Sequence, residues 1–306
     1  MNFKQSLLVL LSIILIIPQA SMTILAETAE ETVDQPANPE PLYHWGFEPD
    51  QVDGQVVANE VNEEDNSQVA ELNQNATVTE DDERGNVLHL PGEGWLTLPS
   101  DIYDEVSDEL TVTMWANIGV DAEAYSRLFS STITEKHQYF QGVSGAWEDP
   151  EFSIVAGGGE YNQPINTGTN PEGAADYRAA IHWEEQPLRG EWQHITFTMK
   201  SDGSYHVYLD GIEVDDDGID STASVEDANV EEAVKNFFDP EYLEALLYND
   251  FGRSIYTSDN DVIGYFDDIQ IYNKVLKQEE VNDLMGADYI ASLKSVTVGD
   301  NFNKIY

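Results

Sequence analysis

The sequence predicts an all-β protein, an antiparallel sandwich with a small helical insertion. Three observations carry this. About a dozen short runs rich in β-branched and aromatic residues are separated by turn residues. The strongest of them alternate apolar and polar side chains with a period of two. Helical spacing is confined to one stretch before residue 250 and to the segment after residue 274.

In chain order the runs are 43–47, 87–90, 95–98, 110–118, 127–131, 139–143, 152–155, 177–183, 192–200, 205–209, 262–263 and 266–272. Leu110, Val112, Met114, Ala116 and Ile118 share one strand face, and Ile195, Phe197 and Met199 share another. Trp115, Trp192 and His194 fall on the opposite faces, where they pack behind the sheet. Ser201-Asp202-Gly203 and Asp210-Gly211 supply two tight turns, so two consecutive hairpins are expected around 195–214. Residues 221–250 break the β rhythm. Val225, Ala228, Val230, Ala233, Val234, Phe237 and Phe238 suit one helix, and Pro240 opens a second carrying Leu243, Leu246 and Leu247. In the closing strand, alternation puts Asp267, Ile269 and Ile271 on one face and Phe266, Asp268 and Gln270 on the other, so Asp267 is expected inward beside aliphatic core. There its charge needs a cation or donors. Val275, Leu276, Val281, Leu284 and Met285 then follow helical spacing.

Residues 1–26 have the make-up of a signal peptide: Lys4, an apolar stretch from Leu7 to Ile17, and Ala20 or Ala26 for cleavage. The expected address is secreted, by Gram-positive-type export, with no membrane insertion after cleavage. Residues 27–41, acidic and with three prolines, read as a flexible leader, 42–288 as the folded domain, and 289–306 as a tail or partial extra strand. The chain has no cysteine, which rules out disulfides and thiolate metal sites. With 59 acidic against 13 basic residues, the formal charge of −46 repels phosphate backbones and excludes nucleic acid as a main partner.

Trp45-Gly-Phe-Glu48, Val87-Leu-His-Leu-Pro-Gly92, Leu96-Thr-Leu-Pro99, Leu110-Thr-Val-Thr-Met-Trp-Ala-Asn117 and Arg127-Leu-Phe-Ser130 stand in an order found in a known family. So do Gly190-Glu-Trp-Gln-His-Ile-Thr-Phe-Thr198, Tyr208-Leu-Asp-Gly211, Phe251-Gly-Arg-Ser254 and the segment at Asp267-Asp268. Together they resemble the laminin G-like (LamG) domains of the concanavalin A-like lectin/glucanase superfamily, in their bacterial secreted form, over residues 43–286. The resemblance implies a jelly roll whose first and last strands run side by side, and a structural Ca²⁺ near that junction. Glu48, Asp50, Asp53, Asp267 and Asp268 are the candidate ligands, as carboxylate oxygens suit calcium. Asp53-Gly54 lacks the serines that the family often carries in that turn.

The acidic Glu-x-Asp-x-x-Glu strand motif of the superfamily's glucanases is missing, as are zinc-protease, nucleophile-elbow and phosphate-loop motifs, so no catalytic residue is assigned and the chain is not expected to be an enzyme. Tyr139, Trp147, Tyr161 and Trp183 lie in or beside glycine-rich stretches with Asn, Gln and Asp, the make-up of a surface that stacks on sugars. The expected role is a carbohydrate-binding, lectin-like module for a glycan such as a cell-envelope polysaccharide. The alternatives are a protein-adhesion or surface-structural module, and a polysaccharide hydrolase or lyase.

Overall fold

Two antiparallel sheets face each other in the computed structural model, which describes residues 39–62, 68–123, 126–133, 139–143, 151–155, 179–182, 189–213, 227–253, 259–286 and 289–290. The strands in chain order are β1 (Tyr43–Trp45), β2 (Val52–Asp53), β3 (Val56–Val57), β4 (Ala70–Gln74), β5 (Thr77–Asp81), β6 (Gly85–Pro91), β7 (Gly94–Leu98), β8 (Glu109–Ile118), β9 (Arg127–Ile133), β10 (Tyr139–Val143), β11 (Glu151–Val155), β12 (Ala179–His182), β13 (Gln193–Lys200), β14 (Tyr205–Leu209) and β15 (Ile212–Glu213). Helices α1 (Asp227–Phe237) and α2 (Pro240–Leu243) precede β16 (Leu246–Phe251) and β17 (Ile263–Tyr272), and α3 (Gln278–Met285) follows. The first sheet runs β15-β14-β13-β8-β17-β6-β5, with β1 also paired to β17; the second runs β12-β11-β10-β9-β16-β7-β4-β3-β2.

Alternation builds the core as expected. Val112, Met114, Ala116 and Ile118 of β8 and Ile195, Phe197 and Met199 of β13 meet Leu72, Leu96, Leu98, Phe129 and Phe251 of the second sheet in one buried cluster. Each such aliphatic or aromatic side chain contributes about 1.5–3 kcal/mol on leaving water. Both expected hairpins form: β13 pairs with β14 and β14 with β15.

Helix α1 packs against β11, β12 and β13, so it bridges the two sheets along one edge, with Ala233, Val234 and Phe237 buried. Asp239 caps α2 by accepting a hydrogen bond from the Glu241 amide, and Pro240 takes the first helical position. The expected second helix is shorter than its leucine spacing suggested. It stops at Leu243, and residues from Leu246 form β16, because that segment lies between β7 and β9 at the centre of the second sheet. Ladder pairing on both sides outweighs local helical spacing. Strands β2 to β5, which hold few large apolar residues, are additional to the expected runs.

The closing strand also departs from simple alternation. β17 pairs with β8 along one side; on its other side β6 covers Ile263–Phe266 and β1 covers Ile269–Ile271. The β8 ladder shifts register between Asp267 and Gln270, and Asp268 adopts φ 46°. This bulge inserts one residue and resets the alternation. Phe266, Ile269 and Ile271 therefore all enter the core, while Asp267 lies opposite Trp115, which belongs to a separate cluster behind the sheet.

Candidate functional site

The outer face of the first sheet is covered. Val281 and Leu276 pack with Tyr208 and Tyr272, and Met285, Tyr289 and Ile290 pack with Val87, Trp115 and Trp192. Tyr289 stands edge-on to Trp115 at 4.6 Å and donates from its hydroxyl to Asp210 Oδ1 at 3.0 Å. Asp210 also accepts from the His194 amide (2.9 Å) and Gln193 Nε2 (3.1 Å). His194 is itself buried, its Nε2 2.9 Å from Thr113 Oγ1. Burial, helped by the Arg84 charge, pushes its pKa down to about 3, so the ring is neutral. The expected packing role of Trp115, Trp192 and His194 holds.

Under this cover, at the β17 bulge, a charged cluster joins β1 and β17, the first and last strands among the described residues. Arg84, from the turn between β5 and β6, donates from Nε to Asp267 Oδ2 and from Nη2 to Asp268 Oδ2, each at 2.6 Å. Its guanidinium lies 4.2 Å from the Trp115 ring centroid and 5.6 Å from that of Trp192. His44 of β1 completes the cluster, with Nε2 2.9 Å from Asp268 Oδ1 and Nδ1 2.8 Å from Glu60 Oε2. Burial and the Asp268 charge push the Asp267 carboxyl up. Burial acts on Asp268 too, but His44 and Arg84 more than offset it and hold that carboxyl below the usual range. Arg84–Asp267 is the most enclosed of these contacts, and breaking a buried pair of that kind by removing one partner costs about 3–5 kcal/mol.

The calcium ligand set fits this geometry poorly. Asp267 Oδ1 accepts from the Asp268 amide at 2.9 Å, so all four oxygens of the two aspartates are already engaged by Arg84, His44 or backbone. Glu48, Asp50 and Asp53 are exposed around β2, and among the described residues no three His, Asp or Glu side chains gather to hold a metal ion. Of the expected sugar-stacking rings, Trp147, Tyr161 and Trp183 lie outside the described residues; Tyr139 is in β10, and its side chain is likewise outside them.

At one end of the sandwich two of the crossings between sheets, from β4 to β5 and from β6 to β7, run side by side. The crossings touch: the Asn75 amide donates to the Glu93 carbonyl at 3.0 Å, and a Cβ on Gly94 would collide with the Ala76 backbone. Beside them is a pocket of about 290 Å³ lined by Asn75, Pro91, Gly92, Glu93, Glu123, Asn260, Asp261 and Ile263. Its side chains form acid–amide pairs: Asn75 Nδ2 donates to Glu93 Oε2 at 3.4 Å, and Asn260 Nδ2 to Glu123. No lysine, arginine or histidine is in this lining.

Near this end, on the second sheet, Trp95 carries Arg253 4.2 Å above its ring. Its indole N–H donates to Thr97 Oγ1 (3.2 Å), which donates to Asp250 Oδ1 (2.6 Å) and accepts from Asn73 Nδ2 (3.0 Å). Burial raises the Asp250 carboxyl, against the Thr97 and Arg253 contacts that lower it. None of the residues that line this pocket or surround Trp95 was expected from sequence to bind a ligand, although Pro91, Gly92, Thr97 and Arg253 stand in the family-like segments. The available signal was Trp95, next to the Gly92-Glu-Gly94 turn. Arg84 and His44 gave none, because each is far in sequence from the aspartates it serves, and Glu60 contacts only His44 of this group.

Facing antiparallel sheets with paired first and last strands define a concanavalin A-like sandwich. The chain belongs to the Laminin G 3 family of the concanavalin A-like lectin/glucanases superfamily, whose model matches residues 90–282, more than half of it. No curated protein sequence matches the chain. Among solved structures it is similar to domain 4 of AbnA, a GH43 extracellular arabinanase from Geobacillus stearothermophilus, in complex with arabinotriose: TM-score 0.54, 14% identity, 80% of this chain and 98% of that one. It is also similar to the receptor binding domain of botulinum neurotoxin mosaic serotype C/D (TM-score 0.51, 11% identity, 81% of this chain and 50% of that one). The binding domain of botulinum neurotoxin DC in complex with SialylT gives 0.50, 11%, 82% and 52%. The chain thus spans about half the length of the neurotoxin domains. At these identities the likeness concerns the fold.

Proposed function

We propose that this protein is a secreted, non-catalytic carbohydrate-binding module whose glycan enters the pocket at the sandwich end. The observation that carries the proposal is the pocket lining. Paired carboxylates and amides offer acceptors and donors for neighbouring sugar hydroxyls, and Pro91 and Ile263 offer apolar contact for a ring face. The arabinanase domain was solved with arabinotriose and a neurotoxin domain with SialylT, which supports a glycan for this fold. Secretion rests on the apolar N-terminal stretch of residues 1–26. A protein-adhesion role asks for an exposed apolar groove. The large apolar residues exposed among the described ones, Val56, Val61, Val120, Ile212, Leu247 and Tyr248, lie on separate elements apart from the last two.

The test is a glycan array, with calorimetry on its hits, using the wild type, Glu93→Gln and Asn260→Ala. We expect at least a tenfold affinity loss in each variant with melting temperature nearly unchanged. An array with no signal, in calcium or in chelator, refutes carbohydrate binding; hits indifferent to both substitutions refute the pocket.

A further inference from the structure

We infer that the guanidinium of Arg84 is the resident cation of the strand junction, standing where a divalent ion would have to bridge Asp267 and Asp268, so that this junction is held without metal. β6 and β1 share one side of β17 and leave Asp267 and Asp268 unpaired on that side, and Arg84 contacts both of their carboxylates. Two anions there need a positive charge between them. Arg84 delivers it in a form that fits, with two separate N–H groups, one for each carboxylate, and a flat face against Trp115. A calcium ion needs six to eight oxygens in roughly spherical arrangement. With Arg84 in place its guanidinium fills the space between the carboxylates and all four of their oxygens are engaged, so no such set is open to an ion. Being covalently tethered, the guanidinium cannot be removed by a chelator, and it fastens the β5–β6 turn to the closing strand.

The experiment measures thermal unfolding of the purified domain in EGTA and in millimolar calcium chloride, for the wild type, Arg84→Ala, Arg84→Lys, Asp267→Asn and Arg84→Ala/Asp267→Asn. In EGTA, Arg84→Ala should melt about 10 °C below the wild type, since two carboxylates then face one another without a cation. Calcium should raise its melting temperature by several degrees more than it raises the wild type's. That extra response should vanish in Arg84→Lys, where a tethered ammonium refills the gap, and in the double variant, where one carboxylate is gone. If Arg84→Ala is unfolded in EGTA, the same comparison is read as calcium-driven refolding by circular dichroism. The inference is overturned if Arg84→Ala gains no more from calcium than the wild type. It is equally overturned if the wild type responds to calcium and Asp267→Asn abolishes that response, because the aspartates would then already hold the ion.

Discussion

Replacing His194 with glutamine should remove much of the domain's sensitivity to acid. The imidazole is fully enclosed by Thr113, Thr196 and the Trp115 ring edge, and its pKa falls from 6.5 to about 3. The unfolded chain therefore takes up a proton on His194 below about pH 6.5 while the folded chain does not. A group depressed in this way contributes stability that is full above its unfolded pKa and is lost as pH falls towards the folded value. The slope is about 1.4 kcal/mol per pH unit, so acidification from about pH 6.5 to about pH 4.5 should cost about 2.7 kcal/mol through this residue alone. For a domain of this size that is a fall of about 5–10 °C in melting temperature. The assay is differential scanning calorimetry of the wild type and His194→Gln at half-unit pH steps. Carboxylate contributions are common to both proteins, so the difference between the curves isolates the imidazole. The gap between them should widen as pH rises from 4.5 to 6.5. Parallel curves would refute a buried, neutral His194.

His44 should act in the opposite sense. Its pKa is raised, because hydrogen bonding to Asp268 and the charge of Glu60 outweigh the burial that would lower it, so its contribution is full below about pH 6.5 and declines as pH rises above it; His44→Gln should flatten that decline in melting temperature, and an unchanged slope would count against the contact. Gly211→Ala should lower stability in urea denaturation by more than about 1 kcal/mol, since the site has φ 73° and a Cβ there would strike Asn282 and Met285 of α3. An unaffected midpoint would mean that α3 does not sit tightly on that turn.

The parts of the fold that were legible in the sequence are those where apolar residues mark every second position. β8 and β13 are of this kind, and Ile269 and Ile271 of β17 also enter the core as their spacing predicts. The rest was hidden for separate physical reasons. A bulge adds a residue that a period of two cannot reveal, so Asp267 was assigned to the wrong face. Leu246 and Leu247 follow Pro240 at helical spacing, and only the strands on either side of them make that segment a strand. β4 and β5 spell Ala-Glu-Leu-Asn-Gln and Thr-Val-Thr-Glu-Asp, too polar to stand out. Asp267 and Asp268 were named as candidate calcium ligands, and the arginine that both of them contact was not foreseen. Arg84 lies 183 positions from Asp267, and one basic residue in an acidic turn carries no pattern of its own. The pocket likewise comes from loops that touch only after the sheets have formed.

The pairing of β1 with β17 also dictates when the molecule can complete itself. His44 and Asp268 are 224 positions apart, so the amino-terminal strand must wait for nearly the whole domain to be synthesised before it has a neighbour to zip onto. Until β17 is made, β1 has no strand to pair with, and a contact that spans so much of the chain is slow to form.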